Sequence, residues 1–237
     1  MEGEQMRSRR DDARDLGWRL LAAIGAGSIL GALIGGVGGR LAMFVLRLGS
    51  NEAVQGATTD DGFEIGRFTT STAFLISVTA GLGGALGAAY FVLRGALPRR
   101  LRAGIWGLFC AVVMGADTLR PANFDFSALD PKPFAVAAFV LLPGLAGLVS
   151  ALAIERLLLV QPFSSRRLTG LLALGSLALV PVIPAVAALY GAAFALRRKA
   201  QVGRIVTGVA RVVVPVALAV VTVRSGVELW GDADDLL

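Results

Sequence analysis

Apolar residues in this chain come in blocks too long for the strands or helices of a soluble core. Blocks near 18–39, 71–93, 103–118, 134–154, 168–196 and 205–223 are separated by short polar or charged stretches. A helix rises about 1.5 Å per residue, and about 20 apolar residues cross a hydrocarbon layer roughly 30 Å thick. The pattern therefore predicts an all-α polytopic transmembrane bundle of about six spans. Residues 1–17 precede it as a charged tail, residues 18–230 form one transmembrane helical domain, and residues 231–237 form an acidic tail. The first block is too long for a signal-peptide core and ends at no small-residue cleavage site, so a retained helix is expected. The third block is short. From Ala103 to Ala116 it covers only about 21 Å, which sets Asp117 near the membrane boundary.

The fourth block carries Pro143-Gly144, where a kink is expected. The fifth, 29 residues from Leu168 to Leu196, holds Pro181 and Pro184 near its centre. Two readings of it stay open. A single kinked span is favoured, because each arm of a re-entrant hairpin has too few residues to cross and exposes irregular backbone to lipid. The hairpin has charge on its side. Simple alternation from an inside N-terminus places Arg197, Arg198, Lys199 and Arg204 outside, against the positive-inside rule. With alternation, the C-terminus lies inside and Trp18, Trp106 and Trp230 all fall at the inner interface.

Composition agrees with lipid as the outer solvent: 55% of residues are hydrophobic, mean hydropathy is +0.71, and only 17% are charged, well below the quarter usual in soluble domains. The net charge of +6 suggests nucleic acid until its placement is considered. Arg94, Arg99, Arg100 and Arg102 cluster in one loop, Arg156, Arg166 and Arg167 in another, and Arg7, Arg9, Arg10 and Arg14 in the N-terminal tail. No basic stripe with interleaved aromatics is present, so no nucleic-acid partner is expected. The loops 47–70 and 117–133 between these clusters are net acidic. The chain is thus expected in the plasma membrane with its N-terminus cytoplasmic and lipid as its first partner.

Four glycines in the first block, Gly27, Gly31, Gly35 and Gly39, recur every four residues, and Gly83 and Gly87 do so in the second. At 3.6 residues per turn each set shares a face and lets another backbone approach. Packing of two helices within one chain is the expected use; a seam to a second copy or to another membrane subunit is the alternative. Arg40, at the end of the stripe, is expected to snorkel to the outer interface. Arg211 sits about 9 Å inside the sixth block, where an arginine faces a partner or water unless it too snorkels. The loop 58–68 contributes Asp60, Asp61 and Glu64, and the next outer loop Asp117, Asp125 and Asp130. These carboxylates are hard oxygen ligands for a divalent cation and together would make a cation-attracting mouth. The bland reading is a solvated loop turning at Gly62 and Gly66, and whether a metal binds stays open. EF-hand spacing is missing.

The run Gly38-Gly39-Arg40-Leu41-Ala42-Met43, the loop Thr59 to Arg67, and the stretch Phe124 to Pro131 resemble a group of actinobacterial multi-pass membrane proteins without an established activity. That resemblance implies architecture and nothing catalytic, and it draws attention to Arg40 and the 59–67 loop.

Several chemistries are excluded by residues the chain lacks. There is no histidine, which removes rhomboid-type serine proteolysis, zinc-dependent site proteases, lipid phosphatases of the histidine type and His-ligated haem. The only lysines, Lys132 and Lys199, are in loops and cannot hold retinal. No pair of mid-membrane aspartates suits an aspartyl protease, and no phosphate-binding glycine loop is present. The lone Cys110 forms no internal disulfide. No cofactor is expected. A non-enzymatic bundle acting in helix association or as an accessory subunit is the leading expectation, a solute or ion transporter with an acidic mouth the alternative, and a lipid-modifying enzyme using the outer-loop carboxylates a distant third.

Overall fold

The computed structural model describes residues 2–50, 70–119, 131–159 and 200–236, with side chains described at 15–50, 72–119, 131–159 and 212–234. Among these residues the architecture is all-helical. A continuous rod begins with α1 (Glu2–Leu30), passes through a π-helical stretch (Gly31–Val37) and ends as α2 (Gly38–Gly49). It is followed by α3 (Thr70–Leu93), α4 (Arg102–Thr118), α5 (Lys132–Leu159) and α6 (Ala200–Leu236). Four stretches are long and apolar enough to cross a membrane: Asp15–Gly49, Thr72–Leu93, Lys132–Leu159 and Val212–Asp234. The 17 residues of α4 make it about 26 Å long, in keeping with the short third block. The expected fifth span, 168–196, lies outside the described residues.

The first helix pair is α1 against α3, and its contact is backbone on backbone. A methyl group at Gly31 would meet Gly83 Cα at 2.8 Å, and one at Gly27 would meet Gly87 Cα at 3.1 Å. Only hydrogen fits at such positions, and this closeness is how small residues create dispersion contact when lipid supplies no hydrophobic drive. The contacts run 23 with 87, 27 with 83 and 31 with 79, so the helices are antiparallel.

The regular four-residue stripe then fails, for a local reason. From Gly31 to Val37 the backbone is π-helical, so each turn takes about one residue more than in an α-helix. Gly36, not Gly35, is carried onto α3, where an added methyl would meet Thr79 Oγ1 at 2.7 Å and Ile76 Cα at 3.1 Å. Gly35 keeps ordinary distances of 3.5 Å or more, and Gly39 has nothing within 4 Å. Gly35 and Gly39 therefore leave the tight interface that straight α-periodicity assigns them. The same slip turns Arg40, four residues beyond Gly36, inward: it is 5% exposed. Snorkelling to the outer interface is not what it does.

The second pair is α4 against α5, also an extensive contact. Gly107 approaches Gly144 and Leu148, Cys110 approaches Gly147, and Gly115 approaches Val140, again antiparallel. The core gathers at the two ends. Tyr90, Leu97, Trp106, Cys110, Ala151 and Ile154 fill one, with Leu218 packed against them; Leu46, Leu119 and Ala135 fill the other, joined by Leu229. Trp106, expected as an interface anchor, is buried within the first cluster.

Helix α6 runs alongside α4 in the same direction. A methyl at Gly226 would meet Val112 at 3.6 Å and one at Gly115 would meet Leu229 at 3.7 Å, and Leu218 reaches the Trp106 cluster. Both pairings step forward together along the two helices. Trp230 and the acidic tail consequently lie at the end of the bundle that holds Asp117, opposite Trp18. This differs from alternation through six spans, which sets Trp18 and Trp230 at the same face.

Candidate functional site

The densest polar cluster lies where the sequence showed only a basic loop and the end of a span. Tyr90 and Arg94 are four residues apart at the C-terminal end of α3, so they share a face. Arg102 opens α4, and Glu155 stands five residues from the end of α5. The Tyr90 hydroxyl donates to Glu155 Oε1 at 3.0 Å, and Arg94 Nη1 donates to the same oxygen at 3.3 Å. Arg102 Nη2 donates to Oε2. The three charged side chains are between 18% and 27% exposed, so water screens the cluster only in part. One turn below Arg102, Trp106 stacks on Phe109 at 5.2 Å and tilts against Tyr90 at 5.7 Å. Arg94 lies over the Phe91 ring at 5.6 Å, a distance at which a guanidinium is attracted by the ring face.

One carboxylate thus joins three helices, and its charge is shared by two guanidiniums. The chemistry of this set is that of a clamp. Its hydrogen-bonding groups are turned on one another, and among the described residues no group of three metal-ligating side chains occurs. Glu155→Ala is expected to lower stability by about 2 kcal/mol, between the near-zero value of exposed pairs and the roughly 3–5 kcal/mol of buried ones. Glu155→Gln, which still accepts from Tyr90, should lose about half as much. Thermal melting of the purified chain in micelles measures both; equal melting of wild type and Glu155→Ala would reduce the cluster to a surface ion pair.

The cluster was missed because Glu155 stands 53 to 65 residues from its three partners. A signal was present: Glu155 is the single acidic residue of α5, at the level of a loop rich in arginine.

The sequence-chosen acidic residues fare differently. Asp117 meets a part of the chain that alternation keeps away from it, and with Glu228 and Asp232 it lines a pocket of about 560 Å³ between α4 and α6. Asp60, Asp61, Glu64, Asp125 and Asp130 lie outside the described residues, so the proposed convergence of six carboxylates is not seen. Arg211 falls within α6, with its side chain outside the described set.

Between the helix pairs lies a cavity of about 250 Å³, bordered by Gly31, Gly35, Thr79, Met114, Phe139 and Pro143 among others. Its few hydroxyls give their protons to carbonyls of their own helices. Thr79 donates to the carbonyls of Leu75 and Ile76 at 3.0 Å, and Thr118 to that of Met114 at 2.6 Å. Gly39 and Met43 border this space, whereas Arg40 does not. Compared with known proteins, the chain matches no protein-family model, no curated protein and no solved structure.

Proposed function

We propose that this chain is a non-enzymatic membrane bundle that acts in helix association or as an accessory subunit, and that it conducts no solute. The observation that carries this reading is the apolar central cavity. A lining that is almost wholly apolar, with its hydroxyl protons given to helix carbonyls, holds water poorly and offers an ion little to replace its hydration shell. The reading also accommodates the resemblance to multi-pass proteins of actinobacteria. The glycine faces are used between α1 and α3 of the same chain, so assembly with other subunits would rely on other surfaces.

Within this reading the membrane is the plasma membrane and the end bearing Arg94, Arg99 and Arg102 is cytoplasmic, as the positive-inside rule requires. Leu159 and Ala200 both belong to that end, because α5 runs toward it and α6 away from it. The segment between them then crosses an even number of times. Under this reading the total number of crossings is odd, where the apolar blocks alone predict six.

A transporter is the second reading, favoured by burial of Arg40 and by the acidic pocket at Asp117. Flux separates the two. Vesicles carrying the full chain are expected to pass potassium, chloride and protons no faster than protein-free vesicles. Saturable flux that falls severalfold in Arg40→Ala would establish the transporter instead.

A further inference from the structure

The basic end and the lipid-facing side of α4 and α5 meet in one feature that the assembly reading does not use. Between these helices runs an open groove of about 470 Å³, lined by Gly104, Gly107, Leu108, Ala111, Leu141 and Leu145 among others. Gly104, Gly107, Leu108 and Ala111 follow helical spacing on one face of α4; Gly107 lets Leu148 of α5 come close at the floor, and Gly104 leaves a trough because it carries no side chain. Gly104 has nothing within 4 Å of where a methyl would stand, so the trough is open at its basic end. From Gly104 to Ala111 it is about 10 Å long, a third of the hydrocarbon layer.

Charge caps that end from both sides. On α5, Leu141, Leu145, Leu148 and Leu152 form a stripe at steps of three and four, and the next step is Arg156, which is exposed. On α4 the trough points up to the turn 94–101. That turn is held by bonds from Ala96 N to Leu93 O and from Leu101 N to Pro98 O, at 2.9 and 3.0 Å. Leu97 is buried beneath it, which leaves Arg99 and Arg100 exposed at the surface. Since two apolar helices descend from this turn, its arginines stand at headgroup level. Arg102 is held by Glu155, whereas Arg99, Arg100 and Arg156 are three further exposed cations at the end where the apolar groove opens.

We propose that this groove seats an anionic phospholipid, with one acyl chain along Gly104 to Ala111 and its phosphate against Arg99, Arg100 and Arg156. Guanidinium matches phosphate in shape as well as charge, and basic pockets between membrane helices favour anionic headgroups.

The test is lipid selectivity of the full chain in phosphatidylcholine vesicles, read from the motionally restricted fraction of spin-labelled phosphatidylglycerol against spin-labelled phosphatidylcholine. Wild type should prefer the anionic probe by about threefold or more, since each arginine near the surface contributes appreciably. Replacing the three exposed arginines together (Arg99→Gln, Arg100→Gln, Arg156→Gln) should bring the ratio to about one. Gly104→Leu fills the trough while keeping every charge, and it should also reduce the preference. A wild-type ratio near one overturns the proposal without any variant having to fold. A preference that survives Gly104→Leu in full would remove the acyl seat. Loss of the preference in inorganic phosphate, but not in chloride of equal ionic strength, would assign the arginines to free phosphate.

Discussion

Gly83→Leu is expected to separate α1 from α3 and to cost about 3 kcal/mol or more, the upper end of what overpacking produces. A side chain at this position would meet Gly31 Cα at 2.8 Å and lie closer still to the carbonyl oxygen of Gly27. Both are backbone atoms, and no rotamer change moves them out of the way. The helices must part, and the close approach along Gly27, Gly31, Gly83 and Gly87 is lost with them. Against a total stability of roughly 5–15 kcal/mol, that is a substantial fraction. Thermal unfolding in micelles gives the size, and one glycine inside the π-helical stretch with one just beyond it gives the control. Gly36→Ala should be costly, because Thr79 Oγ1 and Ile76 Cα stand at 2.7 and 3.1 Å, while Gly39→Leu meets nothing within 4 Å and should change stability by no more than about 0.5 kcal/mol. A Gly39→Leu loss as large as that of Gly83→Leu would mean that the rod keeps straight α-helical register and that the slip at Gly31–Val37 is absent.

That control marks where the sequence stops being legible. The spacing of Gly27, Gly31, Gly83 and Gly87 pointed at a close helix pair, since the α-helical period holds through residue 30. Beyond it, residues 31–37 read Gly-Ala-Leu-Ile-Gly-Gly-Val, an apolar run that carries no mark of its wider turns. Extending a period of 3.6 across it names Gly35 and Gly39 where the fold uses Gly36 and buries Arg40. The clamp at Glu155 was unreadable for another reason. Arg94 and Arg102 satisfy a charge rule that asks only which side of the membrane they occupy, and nothing local links them to a carboxylate more than 50 residues away. Asp117 shows the converse. Its place at a helix end followed from the short third block, but its neighbours Glu228 and Asp232 depended on the direction of the last helix, on which hydropathy is silent.

Direction is the subject of the second large prediction: the two ends of the chain are expected on opposite faces of the membrane. Cysteines introduced one at a time by Arg99→Cys and Arg198→Cys should react with an impermeant maleimide from one face, and Asp234→Cys from the other. The native thiol does not confuse the readout, because Cys110 is fully buried. Reversing α6 would take Leu218 away from the Trp106 cluster and Leu229 away from Leu119 and Ala135, and would undo the pairing of Gly226 with Val112. It would also send Arg197, Arg198, Lys199 and Arg204 to the face that holds Asp117, against the charge asymmetry that governs short membrane loops. Packing and insertion energetics therefore act in the same direction, and the all-or-none labelling pattern follows from both. Labelling of Asp234→Cys from the same face as Arg99→Cys would restore an even number of crossings, detach Glu228 and Asp232 from Asp117, and leave the four basic residues between the last two blocks to be explained some other way.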